Sequence, residues 1–391
     1  MGRPLRVFLC CLQSPHQYKV AAYSFWPDYF RRGLAEAEWT AVEAPECDWA
    51  QGLLPPTEND VPAWRERTWA KAMDVVRREH AHEPIDLFLS YLFPQQVLPS
   101  AIAEIRALGI PCVNFFCDNV REFRRVPDEY ACFDLHWVPE NDAIALYKAA
   151  KLPYIHAAMP CWVPPAQRLP VERESRPITF TGGRDEEREK LFAEVLSLGL
   201  RVDLCGPGWI SQTEAPAPAR ARDPRELARR QWEFARRVGW MGVAHKISRS
   251  LRPPPRCNFD FTPYAKGPQF GDQYWPTLRE SIVCLGVNRY PTWYFSKDRP
   301  RTYSRLRDIE APMAGACYLT EWAPGLDQMY DIGNEVETYR TGAELAEKAR
   351  ALSADGPRRK KLRQNAQRRA LNYHSIARTL GRIAERLGCH S

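Results

Sequence analysis

The chain has 391 residues, of which 45% are hydrophobic, 12% aromatic and 26% charged, a balance that excludes a disordered or fibrous protein. Its formal net charge of +7 favours an anionic small molecule or surface as partner without demanding nucleic acid. No uncharged apolar run approaches the roughly 18 residues of a membrane span, so any membrane contact is expected to be peripheral.

At about 150 residues per domain, the length predicts two or three units. The chain opens with Arg3 and Arg6 before a short apolar run, and polar Gln13, Ser14 and His16 follow at once. That pattern reads as a first buried strand over Val7 to Leu9 rather than a secretion signal. Further strands are expected at Leu87 to Leu89, Val113 to Phe116 and Leu135 to Val138. Helices are expected over Trp64 to Glu79, Ser100 to Leu108, and Asn141 to Ala150 with Asn141 as N-cap. Buried strands alternating with helices imply a parallel sheet covered on both faces, with ligands beyond the carboxyl ends of the strands. Asp118 follows one such strand and His16 another, which makes them the candidates for a catalytic base. A loop cap over Val120 and Arg121 is the plain alternative for Asp118.

The proline-rich stretch from Pro160 to Pro165, with turn signals up to Pro177, reads as an interdomain linker. A second alternating unit begins there, with a strand at Ile178 to Thr181, a turn at Gly182 to Asp185, a helix from Glu186 to Leu198 and a strand from Val202 to Cys205. Gly182, Gly183, Arg184 and Arg188 are candidates to hold a diphosphate, because glycines admit a close backbone approach and a helix start offers amide donors. Against this, Asp185, Glu186 and Glu187 place negative charge at the same helix start. Gly206-Pro207-Gly208-Trp209 forms a second glycine-rich strand end. Residues 211–257 interrupt the rhythm with arginines interleaved among aromatic and aliphatic residues. They suit an anionic membrane surface, an acidic or nucleic-acid acceptor, or packing on the second domain with a solvated basic face. The 12 cysteines are scattered without a Cys-x-x-Cys pair, as in a cytosolic protein with reduced core cysteines. No Asp-x-Asp or paired-histidine motif suggests a metal, and no cofactor is expected.

From Arg305 to Glu321 the sequence reads as a helix presenting Glu310 near its end, an Ala-Pro-Met-Ala-Gly turn, and a short strand from Ala316 to Leu319. A carboxylate held there could accept hydrogen bonds from both hydroxyls of a ribose. Together with Gly206-Pro207-Gly208-Trp209, the segment Ser281 to Arg289 and the terminal stretch Ala366 to His374, it resembles the C-terminal domain of CgeB-like glycosyltransferases. The resemblance covers residues 178–385 closely and 85–165 loosely. It implies an α/β fold of the GT-B type, with two Rossmann-like domains facing across a cleft: an acceptor domain over 1–165, a donor domain over 166–370, and a C-terminal helix over 371–391 returning to the first. By the same resemblance Glu310 binds the donor ribose, and Gly206, Gly208, Trp209 and Asn288, in the matching segments, join the donor site. Lys297, Arg305 and Arg307 precede Glu310 and supply positive charge where a donor diphosphate could lie, and Gly315 belongs to the turn that lets backbone come close to a ligand. The related retaining enzymes carry a second glutamate eight positions earlier; Thr302 stands there. The expected protein is a cytoplasmic, metal-independent glycosyltransferase, with a nucleoside-diphosphate sugar as co-substrate and a glycan, lipid, protein or small molecule as acceptor. A peripheral position on the inner face of the membrane, through 211–257, is a further option. The rivals are a nucleic-acid- or membrane-surface-binding protein on a transferase scaffold, with nucleic acid the less favoured partner, and a sugar-phosphate epimerase of similar shape.

Overall fold

A computed structural model describes residues 3–18, 22–54, 60–171, 173–210, 257–290 and 301–389, together with isolated positions between 232 and 251. The chain divides into two compact units, one of Met1–Val120, Arg125–Trp162 and Asn372–Ser391, the other of Arg121–Arg124 and Val163–Leu371. Most of the basic stretch 211–257 and all of 291–300, with Lys297, lie outside the described residues.

The first unit is built on six parallel strands in the order β2-β1-β3-β4-β5-β6. They are β1 (Arg6–Cys11), β2 (Thr40–Val42), β3 (Leu87–Tyr91), β4 (Cys112–Phe115), β5 (Leu135–Val138) and β6 (Tyr154–His156). Every residue of β1, β3, β4 and β5 is buried, which requires cover on both faces and explains their unbroken apolar runs. The helix Ala22–Glu36 is missing from the sequence reading because Pro27 and paired arginines obscure its stripe of Trp26, Tyr29, Phe30 and Leu34. Trp26 and Phe30 pack on Phe115, which packs on Trp137. The C-terminal helix Ile376–Leu387 lies against the same helix at Gly33, where a Cβ would stand 2.3 Å from Ile376 Cγ2. Asn141 does not cap a helix. The buried carboxylate of Glu140 accepts the Val120 amide, the chain turns at once into a 3-10 turn over Asn141–Ala143, and the α-helix starts at Ile144.

The second unit carries five parallel strands in the order β11-β10-β9-β7-β8: β7 (Thr179–Thr181), β8 (Asp203–Cys205), β9 (Cys284–Gly286), β10 (Tyr318–Glu321) and β11 (Glu337–Tyr339). The helix Arg307–Met313 runs further than the sequence suggests, through Ala311, Pro312 and Met313, so the expected five-residue turn shrinks to Ala314 and Gly315. Pro312 has no amide to give to the carbonyl of Asp308, and the Tyr330 hydroxyl donates to that oxygen instead at 2.7 Å. Gly315, at φ 77°, then reverses the chain, which delays the strand to Tyr318. Glu174 clamps the start of this unit to the helix Gly356–Tyr373, accepting from Arg359 at 2.6 Å and Arg363 at 3.0 Å.

His136, in the middle of β5, is 1% exposed and boxed by the rings of Tyr130, Phe133 and Tyr147. Burial pushes its pKa down to about 4. The folded state therefore holds it neutral while the unfolded chain protonates near 6.5, so its contribution is complete above pH 6.5 and is lost as pH falls towards 4. Urea unfolding at pH 7 and pH 4 should show wild type losing about 3 kcal/mol relative to His136→Phe across that window; parallel curves for the two proteins would contradict it.

Candidate functional site

The polar groups of the second unit converge on the helix Arg307–Met313 and the ends of β7, β9 and β10. Asp308 is fully buried and accepts four hydrogen bonds: Oδ1 from the hydroxyls of Tyr318 and Thr320, both at 2.9 Å, and Oδ2 from Asn288 Nδ2 and the Arg305 amide, both at 3.0 Å. Burial raises its pKa, and the surrounding donors act against that rise. Asn288 also donates to the Glu321 carbonyl at 2.8 Å, while Glu321 accepts Arg289 Nε at 2.7 Å. Gly286 is obligatory beside them, since a Cβ there would stand 2.1 Å from the Tyr318 hydroxyl. Asn288 is thus a buried brace, with Oδ1 left without a hydrogen bond.

Glu310 lies two residues further along the same helix and is 4% exposed. Its Oε2 accepts the Tyr274 hydroxyl at 2.6 Å and stands 3.8 Å from Arg307 Nη1. Arg307 lies over the Tyr274 ring at 4.8 Å and donates to the Thr181 carbonyl at 3.4 Å, and its Nη1 is buried without a hydrogen bond. Arg305 lies over Tyr303, itself stacked on Tyr290, and its Nη2 donates to the Arg289 carbonyl. Arg188 donates to the Gly183 carbonyl at 2.7 Å and pairs with Asp185 at 3.3 Å. Burial lowers the Arg188 pKa, and the charges of Arg305 and Arg307 add to that effect. Three guanidiniums therefore sit within electrostatic reach of one another, and one of them, Arg307, lies beside Glu310, an arrangement suited to an anion with hydroxyls attached.

The glycine-rich turns contact each other. Gly182 donates to the Cys205 carbonyl at 2.8 Å, Arg184 donates its amide to the Pro207 carbonyl at 2.9 Å, and Trp209 Nε1 donates to the Gly182 carbonyl at 2.8 Å. A Cβ at Gly206 would stand 2.1 Å from the Gly182 oxygen. Gly182, Gly183, Gly206, Gly208 and Trp209 thus brace two strand ends against each other. Asp185 caps the following helix by accepting the Glu187 and Arg188 amides, and Arg184 is held by Glu189 at 2.6 Å. Those groups are engaged within the fold. Gly315 is also structural: its carbonyl accepts Arg363 at 3.0 Å.

In the first unit Asp118 follows β4 and lies beside Glu140, which follows β5. Glu140 is 1% exposed, and burial together with the Asp118 charge pushes its pKa up to about 8. His16 is exposed, and its amide donates to Ser14 Oγ at 2.9 Å. Asp308, Tyr274 and Glu140 escaped the sequence reading. The one signal for Asp308 was its place two residues before Glu310.

Residues 242–385 match the model of a family described as glycosyl transferase-like. No curated protein matches the chain in sequence. Among solved structures, sucrose-phosphate synthase from Thermosynechococcus elongatus superposes with a TM-score of 0.58 at 13% identity over 100% of both chains. Alr3699/HepE from Anabaena, crystallised with UDP and glucose, gives 0.56 at 10% identity over 99% of this chain and 100% of that one. AviGT4, a glycosyltransferase involved in avilamycin A biosynthesis, gives 0.52 at 15% identity over 98% of this chain and 97% of that one. Similarity at this level is one of fold, and the chain has the α/β architecture of the GT-B glycosyltransferases.

Removing the carboxylate of Asp308 would leave its four donors without their acceptor. Asp308→Ala should destabilise the protein by about 3–5 kcal/mol in chemical unfolding; a loss below about 1 kcal/mol would mean that the network does not hold the helix.

Proposed function

We propose that the protein is a glycosyltransferase, of the CgeB-like kind, that moves a sugar from a nucleoside-diphosphate donor to an acceptor hydroxyl. The observation that carries this reading is the pairing of Glu310 with Arg307, whose Nη1 lacks a hydrogen bond, within the segment that matches the transferase model. Glu310 takes the ribose hydroxyls, and Arg188, Arg305 and Arg307 take the diphosphate. In the transfer step the acceptor oxygen bonds to the anomeric carbon as the bond from that carbon to the diphosphate breaks. The acceptor proton passes to a base, for which Asp118 is the first choice and His16 the second. Charge gathered on the leaving diphosphate is balanced by the guanidiniums, so turnover is proposed to need no divalent metal.

A peripheral approach to an anionic membrane surface from the cytoplasmic side belongs to the same reading. It is supported by the arginine-rich composition of 211–257 and by Trp232, Ile247 and Leu251 there, which are 57%, 54% and 78% exposed.

A thermal-shift screen against UDP-, GDP-, TDP- and CDP-sugars identifies the donor. With the best nucleotide, Glu310→Ala should lose about 1.5–3 kcal/mol of binding in calorimetry while remaining folded; unchanged affinity would remove Glu310 from the site. Asp118→Asn should lower turnover by about 10²–10⁴-fold with donor affinity intact. Near-normal turnover would pass the role of base to His16. Activity that is lost in excess EDTA and restored by magnesium would overturn the metal-free reading.

A further inference from the structure

Arg307 and Glu310 are three residues apart on one helix, a spacing at which opposite charges ordinarily close into a direct ion pair. Here Nη1 and Oε2 stay 3.8 Å apart although both side chains are largely buried, 20% and 6% exposed. Leaving a buried guanidinium N–H without a hydrogen bond is costly, so something must hold the pair open. Tyr274 touches both partners. Its hydroxyl donates to Glu310 Oε2 at 2.6 Å, and the face of its ring carries the Arg307 guanidinium at 4.8 Å. The ring is itself fixed, edge-on to Trp275 at 4.9 Å, on the short helix Tyr274–Arg279.

We propose that Tyr274 is a positioning residue that keeps Arg307 and Glu310 from closing into a direct hydrogen-bonded ion pair, so that one helix can offer a cation to the phosphates and an acceptor to the hydroxyls of a single ligand. The hydroxyl satisfies the carboxylate oxygen nearest Arg307, which removes the drive for that oxygen to swing onto the guanidinium. The ring attracts the cation through its face without supplying a negative charge. The ligand class rests on the donor reading above, whereas the spacing of the pair does not.

Tyr274→Phe keeps the ring and removes the hydroxyl. In its crystal structure the pair should close to roughly 2.8 Å, the length of a charge-assisted hydrogen bond. Calorimetry with inorganic pyrophosphate should show about a tenfold weaker affinity than wild type, because the carboxylate now occupies the arginine. Adding Glu310→Gln to Tyr274→Phe removes the negative charge and should restore pyrophosphate binding to the wild-type level, a rescue that a merely structural role for Tyr274 would not produce. An unchanged separation in the single variant, or a loss that Glu310→Gln leaves in place, would overturn the proposal. If wild type binds neither pyrophosphate nor UDP, the donor reading falls, and the separation in Tyr274→Phe still decides for or against the spacer.

Discussion

One buried carboxylate organises the second unit. Asp308 gathers a side chain from the segment after β9, two hydroxyls from β10 and the amide of Arg305, while its own carbonyl accepts Tyr330 across the gap that Pro312 leaves. A charge so deeply buried is tolerable only when its lone pairs are filled. Filling them fixes the start of one short helix against the carboxyl ends of two strands. Arg307 and Glu310 flank Asp308 on that helix, so the precision of the candidate site is inherited from a residue that does not itself face a ligand.

Engaged and unfilled polar groups stand side by side near the helix Arg307–Met313. At the turns around Gly182 and Gly206 the Gly182 amide and carbonyl, the Arg184 amide and Trp209 Nε1 have partners within the fold, and the helix behind them is capped by Asp185. Around Arg307 the balance is the reverse, with Arg307 Nη1, Arg305 Nε and Thr181 Oγ1 buried without hydrogen bonds. Native folds rarely leave such groups together, and a ligand that supplies oxygen acceptors would satisfy the arginines.

The sequence makes the α/β class legible because strands buried on both faces stand out as unbroken apolar runs, and the centres expected at Val7 to Leu9, Leu87 to Leu89 and Leu135 to Val138 fall within β1, β3 and β5. It hides the helix Ala22–Glu36 behind Pro27 and places the helix end before Glu321 too early, because Pro312 signals a break that Tyr330 repairs from a distant position. At the site, Glu310 is recognisable from its local surroundings and Arg307 from its charge. Arg184 resembles Arg188 in sequence, but Glu189, five residues on, and the Gly208 carbonyl, 24 positions away, engage it. Tyr274 and Glu140 are invisible for the same reason: a tyrosine 36 positions from its carboxylate partner and a glutamate 20 positions from the amide it accepts carry no local pattern.

The central claim is that the helix Arg307–Met313 reads a nucleoside diphosphate from both ends, with arginine on phosphate and glutamate on ribose. A crystal structure of the protein with UDP bound tests it most directly. The account places a phosphate oxygen within hydrogen-bond reach of Arg307 Nη1 and both ribose hydroxyls on the Glu310 carboxylate, with the Asp308 network unchanged. UDP bound elsewhere on the second unit, or bound with its ribose turned away from Glu310, would contradict it.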